Sequence, residues 1–573
     1  MTQITRRTGR STPSQFMAMV WRARLTLRTS ERVDWRERLS ITARRETFGK
    51  TAQYLSCRRI RYVSVGFYFL LDGHEDTLCF RGKCLLTCLY GRVEVMGFTI
   101  EEGQQSYSLF SPASHCPISI RGLESVRALE NRNEKLLKSI MTNSSIILLE
   151  PIETPMTRFL SSFPDLSELI SAPTQNAHIL CLPGNLLETC LSFIGNMDGS
   201  AVILVCGIKN VGKSTFIRVL INTLLNYVDY LEGDLGQTEF TPAGCLSLMT
   251  VREPLLGPPF THQHTPEHMI YYGQSSCESD LDRYLESLKS LWCRRSQSRE
   301  APVIINTMGW VKGFGFQLLV DMIRFFPVSH VVQLSHGGTI QCPALTPEFL
   351  KTANGCQTHP PTQTALDEFT ESHSPAKIYT HLNVQAEFQG VGRQGTRSNE
   401  QRDLSLLAYL SQLQSPDPGP VRPLHSLVPY QVPHTAVALG VTHCDVAPTH
   451  MFYAANGSLV GLCCLAEKVA SKGGPVFLSQ APICPCVGLG VLRGIDMARG
   501  LYFLLTPVEP SVLRKVNCLL LGGISLPSCI LTAQPDFEGG VPYLTTDYSF
   551  DLTGAGKLRV FKGLMRPSQM GTQ

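Results

Sequence analysis

The residues with the clearest capacity for chemistry are Gly207, Ile208, Lys209, Asn210, Val211, Gly212, Lys213, Ser214 and Thr215. Their order is that of a Walker A loop, and they follow the apolar run Ala201 to Val205, which suits a buried parallel strand. In such a loop glycines let the backbone wrap phosphate oxygens with its N–H groups, and the following helix presents its positive end. Lys213 would neutralise the β and γ oxygens of ATP, and Ser214 would offer a hydroxyl to magnesium. About twenty residues on, Val228 to Gln237 reads as a strand ending in acids, which sets Asp234 near the γ-phosphate. There a carboxylate holds magnesium or accepts a proton from an attacking hydroxyl, unless it merely caps a helix. Glu232, two residues back, is expected on the same side of that strand. A third strand, Val303 to Asn306, runs into Thr307 to Gly313, where Trp310 is either a platform for a nucleobase or a core residue.

These residues need strands and helices to hold them, and the sequence supplies both. Phe216, Leu220 and Leu224 recur at helical spacing in Lys213 to Asn226, so strand, loop and helix follow in the required order. Similar alternation across residues 176–413 predicts an α/β domain with a parallel sheet, interrupted by an inserted loop over 343–376. Short alternating runs predict a β-rich domain over 63–175 and another over 435–573, with a proline-rich linker at 414–434.

With 573 residues and 43% hydrophobic content, the chain can bury several cores. No run reaches the roughly 18 apolar residues of a membrane helix, so a soluble protein without membrane partners is expected. The 20 cysteines are scattered and suggest buried thiols in a reducing compartment. The net charge of +4 conceals an asymmetry, because residues 1–62 carry 15 Lys and Arg against 4 Asp and Glu. That basic arm reads as disordered, and it fits RNA binding, a nuclear or nucleolar address, a mitochondrial presequence or a solvated tail. Neither an Asn-Lys-x-Asp guanine reader nor a Leu-Ser-Gly-Gly-Gln transporter signature occurs, which removes GTPases and transport ATPases.

Several strings together resemble the polynucleotide 5′-hydroxyl kinases. They are the phosphate loop, Tyr230-Leu-Glu-Gly-Asp-Leu-Gly-Gln-Thr-Glu-Phe240, Leu256-Gly-Pro-Pro-Phe-Thr-His262, Thr265-Pro266, Asn306-Thr-Met-Gly-Trp310, Arg402-Asp-Leu-Ser-Leu-Leu407 and Val441-Thr-His-Cys-Asp-Val-Ala-Pro-Thr-His450. Gly494-Ile-Asp-Met497 and Thr545-Thr-Asp-Tyr548 extend the likeness toward the nucleolar branch of that family, which acts in ribosomal RNA processing. The resemblance implies a central kinase domain between two β-rich domains, using ATP and Mg2+. By the same resemblance, Lys213 and Ser214 stand at phosphate and metal, and Asp234 at the metal or as base toward the RNA 5′-hydroxyl. Thr265 and Pro266 match a clasp over the RNA end, Trp310 a base-stacking tryptophan, and Arg402 a lid arginine, with Arg397 a second candidate. Glu267 departs from the family's glutamine at that position and adds a negative charge beside the clasp. The implied partners are RNA with a 5′-hydroxyl end, a Las-type endoribonuclease and associated pre-60S processing factors, in the nucleus and nucleolus. A competing expectation is an assembly scaffold that binds ATP with little turnover.

Overall fold

The computed structural model describes residues 40–45, 61–63, 66–72, 76–112, 115, 117–123, 144–164, 166, 201–225, 228–296, 301–336, 342–359, 378–385, 398–469, 471, 473–527 and 529–530. The kinase-like core is a seven-stranded sheet of β1 (Val202–Gly207), β2 (Val228–Glu232), β3 (Cys245–Val251), β4 (His268–Tyr271), β5 (Val303–Asn306), β6 (His330–Ser335) and β7 (Thr380–Gln385). Its order is β4-β3-β2-β5-β1-β6-β7. Strands β2, β5, β1, β6 and β7 run parallel, as the apolar runs predict. On the other side β2–β3 and β3–β4 are antiparallel, so the sheet is mixed. The connection over 233–244 carries no helix to cross the sheet, and the chain therefore returns as a hairpin.

Helices α1 (Lys213–Thr223), α2 (Leu281–Trp292), α3 (Phe314–Phe325) and α4 (Ser398–Leu410) accompany this sheet. Leu204, Leu231 and Ile305 pack with α2 and α3 on one face, and Val205, Tyr230 and Ile304 pack with α1 on the other. Asp280 caps α2 by accepting from the Arg283 N–H. The described part of the inserted loop is tied to α3 by the buried Asp321 carboxylate, which accepts from the N–H groups of Cys356, Gln357 and Thr358. Residues 360–376 of that insertion lie outside the described residues.

Upstream is a nine-stranded sheet in which the long strand Asp76–Tyr90 pairs with several neighbours. Ser40–Arg45 pairs with its first half, so part of the arm read as disordered is a strand held by main-chain bonds, which require no apolar pattern. The rest of the arm up to Arg61, where another strand begins, lies outside the described residues. Asn222 of α1 joins this sheet to the core by donating to Met96 O at 2.9 Å.

Downstream, a second seven-stranded sheet runs from Tyr430–Pro433 to Cys518–Leu521. Its first strand falls within the stretch read as a linker. This sheet lies against β4 and α4, where Tyr409 Oη donates to Leu489 O (3.1 Å) and accepts from Leu489 N (2.8 Å). No helix among the described residues is long and apolar enough to cross a membrane.

Candidate active site

The phosphate loop leaves β1 with Gly207 at φ 147° and passes positive φ values at Asn210 (64°) and Gly212 (99°), a backbone suited to turning N–H groups toward an anion. A Cβ at Gly207 would stand 2.5 Å from Leu334 O, so both conformation and space require glycine there. Lys213 opens α1 and is buried, its Nζ donating to Gly207 O and Ile208 O at 3.1 Å each. Burial pulls the Lys213 pKa down, and the Asp234 carboxylate opposes that shift. Burial likewise raises Asp234 above the usual carboxylate range, against the pull of Lys213. Asp234 Oδ1 accepts from Gly236 N (2.9 Å) and Gln237 N (3.2 Å), which fixes the start of the loop after β2.

One cavity of about 470 Å³ is lined by Lys209, Asn210, Gly212, Lys213, Ser214, Thr215, Asp234, Trp310 and Arg402 among others. Four segments distant in sequence thus meet. Trp310 is half-buried: it packs on the core, its ring lies against Gly315, and it also walls the cavity. Arg402 donates to Asn399 Oδ1 within α4 and reaches the cavity beside Gln401, which accepts from Gln237 Nε2 at 2.8 Å.

Thr265 and Pro266 do not line this cavity; the first is exposed and the second buried. Glu267 is exposed and faces Arg252 across 3.5 Å, which places a cation beside its charge. Arg397 and Thr545 to Tyr548 lie outside the described residues.

Several wall residues, among them Arg218, His115 and Ser275, carry no motif that sequence reasoning would single out. Arg218, one turn beyond Lys213 on α1, binds Glu239 through Nε (2.6 Å) and Nη2 (3.1 Å). Burial pushes the Glu239 carboxyl up, but Arg218 and His262 outweigh it and hold it at about 2. His115 arrives from the upstream sheet, its carbonyl accepting from Arg81, and burial with the nearby Arg218 cation lowers its pKa to about 3. Ser275, on the loop after β4, has only its chain position as a signal.

Glu232 departs from its expected placement. Asp234 lines the cavity, whereas Glu232 is 1% exposed and does not, because β2 ends at Glu232 and strand alternation stops there. Burial and the neighbouring Asp234 raise its pKa, and the hydrogen bonds it accepts from backbone N–H groups and Tyr230 oppose that shift in favour of the ionised form.

Comparison with known families fits this geometry segment by segment. Residues 207–346 match the P-loop model of mRNA cleavage and polyadenylation factor CLP1. Residues 68–179 match the N-terminal domain of polynucleotide 5′-hydroxyl-kinase NOL9, and 425–527 a NOL9-like C-terminal domain. The polynucleotide 5′-hydroxyl-kinase NOL9 of Danio rerio is 57% identical over 553 residues, covering 87% of this chain and 77% of the relative. That of Homo sapiens is 42% identical over 573 residues, covering 88% and 81%. A solved complex of wild-type Clp1p with Pcf11p is 14% identical with a TM-score of 0.48, covering 81% of this chain and 99% of that one. Because these relatives are 57% and 42% identical and the match covers more than two thirds of each chain, the chain belongs to the NOL9 family of polynucleotide 5′-hydroxyl-kinases and is a phosphotransferase.

Proposed function

We propose that the enzyme transfers the γ-phosphoryl of ATP to the 5′-hydroxyl of RNA during ribosomal RNA processing, at the second internal transcribed spacer of the large-subunit precursor. The supporting observation is that Lys213, Asp234, Arg402 and Trp310 converge on one cavity although they come from four separate segments. Gly207 to Thr215 cradle the phosphates, and Lys213 offsets their charge. Asp234 stands where a carboxylate accepts the proton of the 5′-hydroxyl as it attacks in line, or holds magnesium instead. Arg402 reaches the transferring phosphoryl, and Trp310 stacks the terminal base. Thr265, exposed outside the cavity, clasps the RNA end, with the buried Pro266 fixing its turn.

The donor set suits magnesium. Ser214 and Asp234 offer a hydroxyl and a carboxylate, and no group of three metal-binding side chains stands among the described residues, so the remaining oxygens come from nucleotide and water, as is usual for this ion. Held by Ser214 and Asp234, a magnesium ion would supply positive charge against the β and γ oxygens.

The test incubates the chain with γ-labelled ATP and RNAs bearing 5′-hydroxyl or 5′-phosphate ends, with and without magnesium. Label is expected only on 5′-hydroxyl RNA with magnesium, and Lys213→Ala should abolish it in a folded protein. ATP binding without transfer would instead support the scaffold reading. Nucleases that leave 2′,3′-cyclic phosphates create 5′-hydroxyl ends, and tethering a kinase to one raises its effective concentration at the product. The proposed partner is therefore a Las-type endoribonuclease together with pre-60S processing factors, in the nucleolus. Purification at physiological salt should recover that nuclease; a nuclease-free preparation or mitochondrial location of a tagged chain counts against this placement.

A further inference from the structure

The Glu232 carboxylate receives four donors from four directions. Tyr230 Oη donates to Oε2 at 2.8 Å and Glu239 N to the same oxygen at 2.9 Å. Asp234 N and Asn306 Nδ2 each donate to Oε1 at 2.9 Å. The clamp is doubled on one side, since Gly233 N donates to Asn306 O at 3.0 Å, and Tyr284 Oη holds Gly233 O at 2.8 Å.

Tyr230 lies on β2 beside Glu232, and the other three donors come from the segments that frame the cavity. Asp234 N begins the turn that aims the catalytic carboxylate, and Glu239 N closes the loop whose Gly236, Gln237 and Thr238 form one wall. Asn306 ends β5, immediately before Met308, Gly309 and Trp310 on another wall. With both oxygens occupied twice and 1% of the residue exposed, Glu232 has no lone pair directed at the cavity and is not a metal ligand.

We propose that Glu232 is a positioning residue that ties the Asp234 turn to the Trp310 wall, setting the catalytic carboxylate and the acceptor-stacking side chain in one fixed relation. The phosphate loop receives no bond from it, so nucleotide binding is independent of this tie while the chemical step depends on it. Displacement of a reacting group by about 1 Å costs on the order of 100-fold in rate. The inference rests on the assignment of Asp234 and Trp310 to the reacting end of the acceptor.

Glu232→Gln keeps the shape but turns one acceptor oxygen into an amide that meets two donors. The enzyme should keep its thermal midpoint within a few degrees and its affinity for a non-hydrolysable ATP analogue within about twofold, while kcat for a 5′-hydroxyl polynucleotide falls at least about tenfold. Adding Asn306→Asp supplies an acceptor to the new amide and should recover part of kcat. Unchanged kcat in a folded Glu232→Gln enzyme, or equal losses in kcat and ATP-analogue affinity, would overturn the proposal. Should that variant fail to fold, Asn306→Ala removes one donor from the far side; lower kcat at constant ATP-analogue affinity supports the tie, and unaltered kcat rejects it. The acceptor is whichever 5′-hydroxyl polynucleotide the wild-type enzyme labels, so failure of RNA as substrate is read separately, from the wild type.

Discussion

At the scale of single residues, burial sets the electrostatics of this site. Lys213 and Asp234 each lose solvent, each limits the shift of the other, and both line the same cavity. Asp234→Asn should therefore retain ATP-analogue affinity and lose at least about tenfold in turnover, measured by single-turnover label transfer. An unchanged rate would reduce Asp234 to a structural carboxylate. Glu239 behaves in the opposite sense. Its folded pKa of about 2 lies below the ordinary 4.5, so its ionised form contributes stability that is fully present above pH 4.5 and disappears as pH falls toward 2. Urea midpoints should drop over that window, and Glu239→Gln, less stable at neutral pH, should show a flatter dependence on acid.

The elements that carry these residues were unevenly legible in the sequence. The phosphate loop announces itself because its glycines, lysine and hydroxyls act locally, and the strand before it is a plain apolar run. Cys245–Val251 is buried at every position, so its sequence resembles that of a central parallel strand, and only the helix-free 233–244 connection reveals an antiparallel return. Asp234 was legible by its distance from Lys213. The role of Glu232 was not, because its donors come from main chain at 234 and 239 and from side chains at 230 and 306, a set that no spacing rule assembles. His115 was equally hidden, since it belongs to another sheet. The element-level consequence to test is at Gly309, between the β5 end and Trp310. A Cβ there would lie 2.7 Å from Lys209 Cα and 2.8 Å from its N, atoms that no rotamer change can move. Gly309→Ala should push the phosphate loop from the tryptophan wall and weaken ATP-analogue binding at least about tenfold, read by titration calorimetry. Wild-type affinity would mean that the two walls move freely past each other.

Across the whole molecule, the kinase core and the downstream sheet share a single interior. Cys245, Met269 and Tyr271 from the core sheet and Leu404, Leu407 and Leu410 from α4 pack in one cluster with Leu459, Leu489, Leu505 and Leu520. Contact is close enough that a Cβ at Gly461 would stand 2.5 Å from the Tyr271 ring, so the sheets meet backbone to side chain. Separating them would expose about six large side chains on the kinase side. At roughly 2 kcal/mol for each, the loss is on the order of 12 kcal/mol, comparable with the about 5–15 kcal/mol that stabilises a whole domain. The proline-rich stretch between α4 and Tyr430 therefore joins two halves of one cooperative body. Calorimetry of the intact chain should show the core and the downstream sheet unfolding in a shared transition, and a chain ending at Leu413 should be insoluble or should expose enough apolar surface to bind a hydrophobic dye. Two resolved transitions, with a soluble and active fragment ending at Leu413, would show that the downstream sheet is a detachable module and that the shared core adds little to the stability of the kinase.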